Sequence, residues 1–146
     1  MSDLHLSDQQ LSDYIAGLHL VDDHVHGFWT RAVDRRRFEN GLNEANTDPL
    51  ADFDSGFDTQ LGMAVRAHCS PLLGLDRRAS PEEYWAVRSR IEPADLARVF
   101  LSAAGVSDWL VDTGLNGDIA GLHGMAKIAQ GRVGEIVRIE QVAEQA

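Results

Sequence analysis

Apolar residues recur first at helical intervals and then in short unbroken runs. Ser7 and Gln10 have capping-box spacing, and Leu11, Tyr14, Ile15 and Leu18 come next on one helical stripe, which predicts an amphipathic helix over 8–18. The next run, LHLVDDH, is too short for a helix and ends in charge, as a buried parallel strand does at its C-terminal edge. From Gly27 to about Ser107 the pattern is helical and irregular. Asp34 caps a helix with Phe38 and Leu42, Asp58 is placed to cap one with Leu61, Ala64, Val65 and His68, and NTDPLADFDSGFD between them reads as loop. SPEE is the clearest start signal, with Ser80 as cap, Pro81 in the first turn and Glu83 closing the box. A further helix runs from Pro93 to Ala103 and stops near Gly105.

The period then changes. DWLVDTG is a β-branched and aromatic run closed by glycine and predicts a second strand. Residues 118–130 predict a helix ended by Gly131, GEIVRIE a third strand, and QVAEQA the opening of another helix. Strands separated by helices imply parallel βαβ units. The expected organisation is a single domain over 1–146 with a helical insertion at 27–107. Three short strands leave two exposed edges, so residue 146 reads as a cut rather than an end.

Charge narrows the partners. Thirteen Lys plus Arg against 23 Asp plus Glu give a net charge of -10, which repels nucleic acid and anionic membranes. Arg35, Arg36 and Arg37 form the only basic run, and its simplest reading is a solvated helix face. With Cys69 as the single cysteine, no intrachain disulfide forms. The N-terminus shows no leader pattern and no stretch approaches a membrane span, so a cytoplasmic location is expected.

The chemistry lies at the end of the first strand. Side chains alternate along a strand, so Asp22, His24 and His26 are expected on one face and Asp23 and Val25 on the other. Two imidazoles on one face can share an ion, and a neighbouring carboxylate can bind it or orient a ring. In α/β folds the carboxyl ends of the strands are also where ligands sit. A catalytic zinc still needs another protein ligand and an open position for water.

These residues resemble a known family. VDDHVHG is similar to the D-x-H-x-H signature on the first strand of the metal-dependent amidohydrolase superfamily. FDTQLGMAVRAHCSPLLGL, WLVDTGL and EIVRIE resemble bacterial members related to those fused with, or encoded near, glutamine synthetases. The resemblance implies a (β/α)8 barrel, of which this chain would supply the first three βα units, with the 27–107 insertion between strands one and two. It implies hydrolysis of an amide or related C–N or ester bond in a small-molecule substrate, by water activated on a divalent metal, zinc foremost. His24 and His26 carry over as metal ligands and Asp22 as the motif's aspartate. Ligands from later strands have no counterpart: the only lysine, Lys127, falls mid-helix, and His5, His19, His68 and His123 fall on helices or the N-terminal arm. The resemblance therefore implies a chain inactive alone, whose partners are the missing C-terminal part of the barrel or a second copy. A non-catalytic, truncated or split product that binds a partner is the alternative.

Two carboxylates stand near other predicted strand ends. Asp112 and Glu140 would face substrate there, or simply cap a loop, and Arg138 shares strand parity with Glu140. Cys69 beside His68 is not a dyad, because adjacent helical residues diverge by about 100°. A buried structural thiol is the expectation.

Overall fold

The computed structural model describes residues 7–43, 48–115 and 117–144. His5 lies outside them. Helix α1 (Asp8–Ala16) begins at the expected capping box, Ser7 accepting from the Gln10 N–H while the Gln10 side chain accepts from Ser7 N–H. Its apolar stripe is left open: Leu11, Tyr14, Ile15 and Leu18 are all exposed, so the helical period was legible but its burial was not. Strand β1 (Leu20–Val25) comes next and is likewise mostly exposed, against the expectation of a buried strand. Among the described residues it has one neighbouring strand, and nothing in α1 is buried against it.

Between β1 and β2 (Val106–Asp112) lie helices α2 (Arg35–Gly41), α3 (Gln60–Cys69), α4 (Pro81–Arg88) and α5 (Pro93–Ala103). Asp34 caps α2 through the Arg37 N–H, and Ser80 with Glu83 forms the expected box on α4. Thr59, not Asp58, caps α3. Its hydroxyl accepts the Gly62 N–H at 3.0 Å and donates to the Gly56 carbonyl at 2.7 Å, while Asp58 is consumed in a 3-10 turn over Gly56–Asp58. These helices have their own core, in which Phe38, Leu42, Phe57 and Tyr84 are buried. The Phe38 ring centroid lies 5.6 Å from those of Phe57 and Trp85.

After β2 come α6 (Leu122–Ile128), β3 (Arg132–Ile136) and α7 (Ile139–Glu144). Helix α6 starts four residues later than the pattern predicts, because the backbone before it is used elsewhere. Thr30 N–H donates to the Asp118 carbonyl and Ala120 N–H to the Phe28 carbonyl, both at 2.8 Å, around an antiparallel bridge between Trp29 and Ile119. Strand β3 starts and ends earlier than GEIVRIE suggests, and Glu140 lies on the first turn of α7, exposed. A second core joins Trp109, Val111 and Met125, so α6 packs on the sheet.

The sheet is all-parallel in the order β1-β2-β3. This is an α/β arrangement with a small open sheet and seven helices among the described residues, and no partial (β/α)8 barrel is evident. The expected barrel start is thereby corrected. Barrel curvature comes from a closed, staggered ring of tilted strands, whereas three strands with a separately cored helical block between the first two make an open layer. No described helix is long and apolar enough to cross a membrane.

Candidate metal centre

Pairing between β1 and β2 is not regular. Asp22 is in register with Trp109 and Val25 with Val111, so three steps on β1 oppose two on β2. An extra residue slips the side-chain alternation by one and re-aims the residues beyond it, as β-bulges do. Asp22 thereby shares the register face of Trp109, while His24 and His26, flanking Val25, fall on the opposite face with Asp112. The parity argument from sequence holds for the two histidines and fails for Asp22. The Asp22 carboxylate instead accepts the His24 backbone N–H at 3.2 Å, pinning the bulge.

Three groups converge at the carboxyl ends of these neighbouring strands. His24 Nε2 lies 3.2 Å and His26 Nδ1 3.9 Å from Asp112 Oδ2. The two rings meet edge-on with centroids 4.8 Å apart. Asp112 is 2% exposed, whereas the His24 and His26 side chains are 55% and 39% exposed, so the carboxylate forms the floor and the imidazoles the open rim. One ligand atom from each residue lies within 4.8 Å of the others, the only such group of three among the described residues.

Arg138 completes the floor. Its Nε donates to both carboxylate oxygens of Asp112 at 3.0 and 3.1 Å and its Nη2 to Oδ2 at 2.5 Å, while Gly114 N–H donates to Oδ1 at 2.8 Å. These bonds, the guanidinium's first, hold the Asp112 carboxyl well below the usual carboxylate range and keep it ionised. A Cβ at Gly114 would lie 2.6 Å from Arg138 Nε, so any larger residue there displaces the guanidinium from this position. Sequence parity had paired Arg138 with Glu140. The strand ends at Ile136, so Arg138 is free of that alternation and turns to the neighbouring strand end instead.

Two imidazoles and a carboxylate are donors of the kind that could hold a divalent ion. Donors 2.0–2.1 Å from a tetrahedral ion of the zinc type stand about 3.3 Å apart. The His24–Asp112 separation of 3.2 Å already matches, His26 Nδ1 stands further off at 3.9 Å, and all three ligand atoms lie within 4.8 Å of one another. Asp112 would supply a third protein ligand beside the histidine pair, and the exposed imidazole side would leave an approach for water.

The remaining candidates lie apart from this group. Glu140, Cys69, His19, His68 and His123 contribute no ligand atom to it. Cys69 is half-buried, and desolvation raises its pKa, which disfavours the thiolate a nucleophile needs. A second polar cluster escaped the sequence. Glu39 is buried and accepts from Arg35 Nε at 2.6 Å, Ser55 Oγ at 2.8 Å and Gly56 N–H at 2.9 Å. Burial opposes its charge, but these bonds outweigh it and lower its pKa. Arg35 also reaches Glu82, so part of the basic run is an ion network rather than a free solvated face. No known family, curated protein or solved structure matches the chain, so the amidohydrolase resemblance rests on the chain's own residues.

Proposed function

We propose that His24, His26 and Asp112 form a divalent-metal centre serving a metal-dependent hydrolase of amidohydrolase type, which cleaves an amide or related C–N or ester bond. One observation carries this reading: two imidazoles and a buried, ionised carboxylate converge within 4.8 Å at adjacent strand ends. The mixed nitrogen and oxygen donors favour zinc over calcium or magnesium, which prefer oxygen alone. When bound, such an ion acts as a Lewis acid and lowers the pKa of coordinated water from about 15.7 to about 7. Arg138 and the Gly114 N–H fix the Asp112 carboxylate, so that it offers Oδ2 without rotating. Asp22 holds the His24 backbone at the bulge. The open imidazole rim admits a small-molecule substrate.

Zinc titration by calorimetry tests the proposal. One site is expected in the wild type, with affinity at least a hundredfold weaker in the paired His24→Ala and His26→Ala variant. Equal affinities would overturn it. A second reading is favoured by Arg138, whose guanidinium already neutralises Asp112: the cluster is then a metal-free polar clamp between β1, β2 and the segment after β3. That reading expects no zinc site in the wild type and a lower melting temperature for Arg138→Met.

A further inference from the structure

A cavity of about 310 Å³ opens beside His26 and extends toward the helical block. Its walls are largely apolar, Trp29, Trp85, Leu96 and Phe100 among them, and no carboxylate lines it among the described residues. Two cations do. Arg31 is exposed and already paired with Asp118 at 3.5 Å. Arg88 differs: it is half-buried, its guanidinium lies 4.3 Å from the Phe38 ring centroid, and it forms no ion pair among the described residues. Desolvation pulls its pKa down, and Tyr84 and Cys69 beside it offset only part of that. A half-buried cation without a carboxylate partner is costly, and cation–π contact recovers only part of that cost.

We propose that this cavity is a subsite for an aryl carboxylate group, its ring between the aromatic walls and its carboxylate on Arg88. The inference rests on the hydrolase reading for one step only, that the bond offered to the metal centre belongs to an amide or ester bearing such an anionic aromatic substituent. The shared wall at His26 links the two. The volume matches the small end of ligand pockets and exceeds what a single ring fills, so the substituent enters without opening the fold. Arginine suits the carboxylate because its planar fork can grip both oxygens.

The test uses the whole chain in EDTA, with phenylacetate and the neutral isostere phenylacetamide as probes. Trp29 and Trp85 line the cavity, so their fluorescence reports binding directly. Phenylacetate is expected to bind at least tenfold more tightly than phenylacetamide. Arg88→Met should abolish that preference while leaving phenylacetamide unchanged, and Arg88→Lys should restore part of it. Equal wild-type affinities, or no fluorescence response to either probe, overturn the subsite, and this comparison needs no variant to fold. Because metal is excluded, failure here leaves the zinc titration untouched, and failure of zinc binding leaves this result standing.

Discussion

Gly27 joins β1 to the loop that walls the cavity, and its replacement by alanine probes that joint. Its φ is +87°, a region that costs a non-glycine residue about 1–3 kcal/mol. A Cβ there would also lie 2.1 Å from the Ala120 carbonyl oxygen, which is backbone and has little room to yield. Relieving that contact pushes apart the segments bridged through Thr30 to Asp118 and Ala120 to Phe28, two hydrogen bonds worth about 0.5–1.5 kcal/mol each. The expected loss is about 3 kcal/mol, or a melting temperature lower by about 10 °C. Gly74 provides the control, with φ +75° and nothing within 4 Å of its added Cβ, so Gly74→Ala carries the backbone penalty alone and should cost about 1 kcal/mol. Urea unfolding of both variants measures the difference. Equal losses for Gly27→Ala and Gly74→Ala would refute the argument that contact with Ala120, rather than backbone conformation, makes Gly27 indispensable.

The buried groups make further predictions. Phe57→Ala should destabilise the chain by about 3–5 kcal/mol in urea, because the ring is 0% exposed and packs on Phe38 and Tyr84, and a loss under 1 kcal/mol would mean that the helical core is loose. Glu39 has a folded pKa below its unfolded value, so the unfolded state binds more protons and stability rises with pH through that window. Its contribution is complete above the ordinary glutamate pKa and is lost as pH falls through the folded one. The stability gap between wild type and Glu39→Gln should therefore narrow on acidification from about pH 5 toward 3, and a constant gap in pH-stepped urea titrations would contradict this.

Local chemistry was the most legible part of the chain. The boxes at Ser7 and Ser80 depend only on residues three apart, and both form as the spacing implies. The parallel strands were legible for a similar reason, since short apolar runs closed by charge or glycine alternate with helical periods. The surface that covers an element was not. The stripe on α1 has the right period and no buried residue, because burial depends on a partner surface that periodicity does not specify. Barrel closure is equally non-local, and the resemblance at VDDHVHG carried no information about strand curvature. At the site, alternation placed His24 and His26 together, but the bulge at β1 removed Asp22 and the third group came from Asp112 on the next strand. The aspartate with glycine two residues later was the available signal for a carboxylate fixed at a strand end. Arg138 was named but given the wrong partner, because the third strand stops before it and strand parity no longer applies.

The claim that one ion is shared by His24, His26 and Asp112 is tested most directly by nitrogen-15 spectra of the histidine rings during zinc addition. The account predicts saturation at one equivalent, with His24 Nε2 and His26 Nδ1 moving to metal-bound shifts while His19, His68 and His123 stay in place. Rings of His24 and His26 that do not respond, or ligation carried by the other histidines, would contradict it.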